Sequence, residues 1–232
     1  MRPPLSLAFK STTTTIPIVI VVADPIAFGI VSSLSRPGGN ITGSTVDGGI
    51  EMIAKRLSLL LEAKPNARLG YLASRGNWNG VEGALIMGTA RRASASLVHI
   101  DLGNSITEQA YVEAASKLAE LNVNALLVSD EPDQIAHKEA AVAIATNARV
   151  PAMYAFRDLA EAGGLMAYCV DLPDAFRYAA KQIAEILHGK LPGDIPFFQP
   201  TFFPFIVNLK AARQIGFEFP HPLLARADEV IE

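Results

Sequence analysis

The sequence predicts an α/β fold built on doubly wound parallel sheets, and three observations carry that expectation. The run Ile16-Pro17-Ile18-Val19-Ile20-Val21-Val22 is apolar without interruption, as a strand covered on both faces requires. Strand-like and helix-like stretches then alternate along the whole chain, the order of a sheet with crossover helices. Cap and stop residues fall at the joints between them.

Taken in order, the first strand spans Thr15 to Val22 and runs into Asp24-Pro25. Asp24 is placed to cap the free amides of a helix whose first turn holds Pro25, where a missing donor costs nothing. Pro37-Gly38-Gly39 would end that helix, and Ile41 to Val46 reads as the next strand. Ile50, Ile53, Ala54, Leu57, Leu60 and Leu61 recur at helical spacing and stop at Lys64-Pro65-Asn66. Further strands fit Leu69 to Ala73, Leu97 to Asp101, Ala125 to Val128 and Pro151 to Tyr154, with helices near 80–95, 107–121 and 133–147. Beyond these, Ala175, Phe176, Ala179, Ala180, Ile183, Ala184 and Leu187 mark one more helix, ended by Gly189 to Gly193. Asn208 caps a short helix that stops at Gly216.

At 232 residues with half of them hydrophobic, the chain can bury one large core or two small ones. A net charge of −3, with Lys and Arg scattered, leaves no electrostatic footprint for nucleic acid or an anionic membrane. A single cysteine, Cys169, excludes an internal disulfide and a cysteine-rich zinc site. No window approaches the ~20 apolar residues of a membrane span, and Met1 to Thr15 does not read as an export signal.

Several blocks together resemble a known family. They are Ile16 to Val19, Asp24-Pro25, Arg36-Pro37-Gly38-Gly39-Asn40-Ile41-Thr42-Gly43, Ala162-Gly163-Gly164-Leu165-Met166, Val207-Asn208-Leu209-Lys210 and Leu224-Ala225-Arg226-Ala227-Asp228-Glu229-Val230-Ile231. In this order they resemble the ABC-transporter substrate-binding family related to tryptophan and tyrosine uptake. That resemblance implies a two-lobed fold of the type I periplasmic-binding-protein kind, closing on a small solute without performing chemistry. It also implies a periplasmic location, an ABC permease as partner and no cofactor. Members carry about three further β/α units, each roughly 30 residues, before the Ile-Pro-Ile-Val strand, so the first lobe is expected to be incomplete. The expected division is 1–66 with 170–190 as partial lobe one, and 67–169 with 191–232 as lobe two. Cys169 stands at a usual family glycine, and the Ser74 to Asn79 loop departs from the family's Asn-Pro-rich loop.

Ligands of open α/β sheets bind outside the carboxyl ends of strands, where helix amino-termini present free amides. That rule nominates Asp24, Thr42 and Ser44 in lobe one, and Ser74, Asn77, Asn79, Asp130, Glu131, Tyr154 and Phe156 in lobe two. Asp171, after the crossing, stands where aromatic-amino-acid-binding members have an acidic or amide residue, suited to a solute ammonium group. Each nominee has a structural rival. Asp24, Asn77, Asn79 and Asp171 suit helix caps, Thr42 and Ser44 suit strand positions, Asp130 and Glu131 suit a first helical turn, and Tyr154 and Phe156 suit a core.

The enzymatic alternatives lack their motifs. No Gly-x-Ser-x-Gly elbow, Gly-x-Gly-x-x-Gly fingerprint or Walker loop is present, and His99, His137, His188 and His221 lie far apart in sequence. One thiol is too few for a two-cysteine racemase. A Mg²⁺-dependent hydrolase using Asp24, Asp130 and Glu131 remains as an alternative, and so does an intracellular ligand-sensing domain of the same fold. The expectation is a solute-binding protein for a small amino-acid-like ligand, with no metal.

Overall fold

The computed structural model of the protein describes residues 3–46 and 50–232. In chain order the elements are α1 (Pro3–Thr12), β1 (Ile18–Val22), β2 (Ile41–Thr45), α2 (Ile50–Ala63), β3 (Arg68–Ala73), α3 (Arg75–Trp78) and α4 (Val81–Arg92). They continue with β4 (Ser96–Asp101), α5 (Glu108–Glu120), β5 (Ala125–Val128), α6 (Pro132–Ala136), α7 (Lys138–Ala148), β6 (Ala152–Tyr154) and α8 (Arg157–Glu161). Then come β7 (Met166–Tyr168), α9 (Leu172–Leu187), a 3-10 turn at Pro192–Asp194, β8 (Phe205–Asn208), α10 (Leu209–Ile215), α11 (His221–Leu224) and β9 (Glu229–Ile231).

The chain forms two compact units, Met1–Gly49 with Val170–Phe203 and Ile50–Cys169 with Pro204–Glu232. The second unit is built on a seven-stranded sheet in the order β4-β3-β5-β6-β7-β8-β9. Its first five strands are mutually parallel, β8 runs antiparallel to β7, and β9 is parallel to β8. The strands placed by the sequence pattern in this unit are parallel as expected, and β8 and β9 extend the sheet beyond β7. Leu57, Leu60, Leu69, Tyr71, Ile86, Leu127, Met153, Met166 and Val207 meet in its core.

The first unit has a two-stranded parallel sheet, with Ile18 opposite Ile41 and Val22 opposite Thr45. Ile20, Val22, Ile30, Val31, Ile41 and Phe197 make its small core. Helix α9 packs on both strands and turns Ala175, Ala179 and Gln182 inward. The amide of Gln182 donates to the carbonyls of Gly43 at 2.8 Å and Pro196 at 2.9 Å.

Four sequence expectations need correcting. Residues 50–66 belong with the second unit, because α2 buries Ile53, Leu57 and Leu60 in that unit's core. Residues 191–203 belong with the first, because Phe197 fills its core and Phe198 N donates to Gly43 O at 2.9 Å. The helix expected from Pro25 is only a set of hydrogen-bonded turns. Gly29 takes a left-handed φ of +65°, and Ile30 and Val31 then turn into the core instead of continuing a helix. The helix expected over 133–147 is broken at His137, whose φ of −118° and ψ of 34° are not helical.

Candidate polar site at the carboxyl edge of the second sheet

Five parallel strands end on one edge of the second unit, and the polar residues that follow them meet there. Strand β3 gives way to Ser74, whose Oγ caps α3 by accepting from Asn77 N at 3.0 Å. Strand β5 gives way to Ser129-Asp130-Glu131, held beside β3 by the bond from Ser129 N to Leu72 O at 3.0 Å. The register of these strands thus sets Ser74 next to Glu131.

Glu131 occupies the cap position of α6, yet its side chain makes no capping bond. Its carboxylate instead reaches across to β3. One oxygen accepts from Ser74 Oγ at 2.6 Å, and the other accepts from Ser74 N and Ser129 Oγ, each at 2.9 Å. Gln134, fully buried, donates to Ser129 Oγ at 2.9 Å and accepts from Tyr111 OH at 2.8 Å. On the far side, Tyr71 OH donates to Asn77 Oδ1 at 2.9 Å. The hydroxyl pKa of Tyr71 is raised well above its ordinary value, first by burial and then by the nearby carboxylates of Asp130, Glu131 and Glu82, so it stays a donor. This chain of bonds fixes the two strand-end loops to each other. Two hydroxyls donate to one carboxylate, an arrangement suited to holding shape and not to activating a nucleophile.

Arg56, which the sequence pattern did not single out, enters the same edge from α2. Its Nε donates to Tyr168 O at 2.9 Å and its Nη1 lies 3.4 Å from Asp130 Oδ2. The signal was available. Arg56 sits three residues after Ile53 and four before Leu60, a cation on the apolar stripe of its helix. Trp78 stacks on His99 with ring centroids 4.7 Å apart and planes within 4°. Arg75 grips Asp101 at 2.7 Å, tying the ends of β3 and β4 together.

The other nominees fall out as follows. Asn79 is exposed at the end of α3. Tyr154 and Phe156 are core residues, with the Tyr154 ring lying so close to Gly164 that a Cβ there would come within 2.6 Å of it. Burial also raises the pKa of the Tyr154 hydroxyl. In the first unit, Asp24 Oδ1 accepts from Ile26 N and Ala27 N at 2.9 Å, and Asp171 Oδ1 accepts from Asp174 N at 3.0 Å, so both act as caps. Thr42 and Ser44 are wholly buried and donate to the carbonyls of Ile195 at 2.7 Å and Ala175 at 3.0 Å. Their hydroxyl protons are therefore already engaged inside that unit. Among the described residues, no group of three or more His, Cys, Asp or Glu side chains is placed to hold a metal ion. No described helix is long and apolar enough to cross a membrane.

Two α/β units, one built on a seven-stranded sheet with a polar carboxyl edge, have a fold of the periplasmic-binding-protein kind. A family model described as ABC transporter substrate binding protein matches residues 3–231, and the chain belongs to that family. It is 28% identical over 200 residues to the tyrosine-binding protein of Clostridioides difficile strain R20291, a match covering 83% of this chain and 55% of that protein. The chain thus spans about half the length of this curated relative. Among solved structures, a conserved domain protein from Vibrio cholerae is similar with a TM-score of 0.86 and 26% identity, covering 98% of this chain and 76% of that one. A Streptococcus pneumoniae ABC domain in complex with L-Trp shares the fold with a TM-score of 0.84 and 22% identity, covering 99% and 76%.

Proposed function

We propose that the protein is a solute-binding component of an ABC uptake transporter, that its solute is a small amino-acid-like molecule, and that it delivers this solute to a permease in the periplasm. The observation that carries this reading is the convergence of Arg56, Asp130, Ser74, Asn77 and Tyr71 at the carboxyl edge of the second sheet. Paired opposite charges beside amide and hydroxyl groups suit a small polar molecule with an apolar body. The tyrosine-binding relative and the L-Trp-bound neighbour support amino acids as the solute class.

Capture of this kind needs no bond making. The solute acts through its differential affinity for the binding-competent conformation. Ser74 and Ser129 serve as structural donors to Glu131 in this reading, not as nucleophiles.

The test is thermal unfolding of the intact chain against a panel of aromatic and aliphatic L-amino acids. A ligand that binds only the folded state raises Tm, by an amount that grows with its concentration over Kd. An aromatic amino acid should raise Tm in a dose-dependent way while sugars and nucleotides leave it unchanged. A flat response to every amino acid at millimolar concentration would defeat the reading.

A further inference from the structure

Arg56 breaks the usual rule for burial. Arginine is rarely buried unless its charge is fully paired, yet Arg56 is only 6% exposed and its pairing is incomplete. Nε meets a neutral carbonyl, that of Tyr168. The described carboxylate partner, Asp130, is 3.4 Å away, beyond the roughly 2.7–2.9 Å of a full charge-assisted bond. The planar fork of the guanidinium has donors left for a second acceptor.

The surroundings show where such an acceptor would come from. Arg56 and Asp130 share a recess with Ile53, Tyr71, Ile86 and Ser129. Every residue lining that recess is buried except Asp130, whose side chain keeps 28% of its exposure, so the recess opens on the Asp130 side. Its volume is about 10 Å³, room for about one water molecule. One carboxylate oxygen occupies similar space. The body of a solute cannot enter, but one oxygen of its carboxylate can, with its ammonium left on the exposed Asp130 side.

We propose that Arg56 and Asp130 form a clamp for the zwitterionic head of an α-amino acid, Arg56 receiving the α-carboxylate and Asp130 the α-ammonium. The proposal deepens the solute-binding reading above and rests on it. Two opposite charges at neighbouring points match the charge order of that head group, and no neutral or singly charged solute satisfies both. Binding exchanges one long ion pair for two close ones, with the new anion meeting a guanidinium that has already left water. Tyr71, in the same recess, supplies an apolar ring beside the head group.

The experiment is calorimetric titration of the intact protein with L-tyrosine, with tyramine, which lacks the carboxylate, and with 3-(4-hydroxyphenyl)propionate, which lacks the ammonium. The wild type should prefer L-tyrosine over each fragment by about tenfold or more, the usual weight of a charge-assisted bond. Arg56→Gln should bring L-tyrosine and tyramine to within about threefold of each other while keeping the preference over the propionate. Asp130→Asn should do the reverse. Asp130 is partly exposed, so this second variant decides the matter alone if Arg56→Gln does not fold. A folded variant that keeps both preferences would overturn the clamp and leave the solute-binding reading standing. Failure of the wild type to bind L-tyrosine or L-tryptophan would overturn the amino-acid reading and the clamp with it.

Discussion

The two units differ in how completely they cover their own apolar surface. In the second, among the described residues, large hydrophobic side chains stand exposed only at Val81, Val112 and Val230. In the first, Leu5, Leu7, Phe9, Ile16, Ile26, Phe176, Ile183, Leu187, Leu191 and Phe202 are all exposed. Helix α9 makes the contrast concrete. It buries the small residues Ala175 and Ala179 and leaves Phe176, Ile183 and Leu187 outside, although these three fall on one stripe of the helix. A seven-stranded sheet flanked by helices can satisfy its own faces, whereas two strands and a few helices cannot. The polar edge of the second unit thus rests on a covered core, whereas the first unit leaves large apolar side chains uncovered.

The largest effect is expected when the two units are unfolded separately. Trp78 is the sole tryptophan and lies in the second unit, so its fluorescence reports that unit, while far-ultraviolet circular dichroism reports both. Phe197→Ala removes the aromatic filler of the small core and should cost about 3–5 kcal/mol, lowering an early dichroism transition in urea and leaving the Trp78 transition in place. Leu60→Ala, in the larger core, should cost about 2–5 kcal/mol and move the Trp78 transition. Equal shifts of both probes by either variant would mean that the chain unfolds as one cooperative body.

A smaller effect is expected at Glu131. Glu131→Gln keeps one acceptor oxygen but replaces the other with an NH2 donor, which faces either Ser74 Oγ or the pair Ser74 N and Ser129 Oγ. The cost should be about 1–3 kcal/mol on the Trp78-reported transition, because Asn77, next to Trp78, is fixed through Ser74. An unchanged midpoint would show that the network does not stabilise the edge.

The smallest effect is expected from pH. Burial pushes the Asp101 carboxyl up, but hydrogen bonds from Arg75 and Gly103 N outweigh it and hold its pKa below the usual value. The paired bonds from Arg157, both 2.7 Å, hold the Glu229 carboxyl below its usual value as well. A carboxylate whose folded pKa is depressed contributes stability that is complete above its unfolded pKa and is lost as pH falls through the folded one. The second unit should therefore weaken as pH drops below the ordinary carboxylate range. Both pairs are partly exposed, so each contributes less than about 1 kcal/mol. Urea midpoints by Trp78 fluorescence, compared for wild type and Arg157→Ala from about pH 6 to about pH 3, should converge at the acid end. Parallel curves would remove Glu229 from the account.

Much of the second unit was legible because its signals are local. The strand Ala125 to Val128 has the bounds read from the sequence, and the helices near 80–95 and 107–121 differ from α4 and α5 only by frayed ends. The break at His137 was not legible, since no glycine, proline or side-chain cap marks it in the sequence. The same holds for Asp24-Pro25. The cap forms as its residue types require, but the helix it announces gives way to burial of Ile30 and Val31.

The sequence by itself determined the α/β alternation, the caps at Asp24, Asp171 and Asn208, and the placement of Ser74 and Ser129 to Glu131 at strand ends, because periodicity and capping act over a few residues. Only the tertiary structure decided which unit α2 and the Phe197 segment join, that Thr42 and Ser44 spend their hydroxyls on the carbonyls of Ile195 and Ala175, and that Arg56 reaches Asp130. Those outcomes depend on contacts between residues far apart in the chain, and which carbonyl or charge a buried side chain meets is fixed by packing, not by its neighbours in sequence.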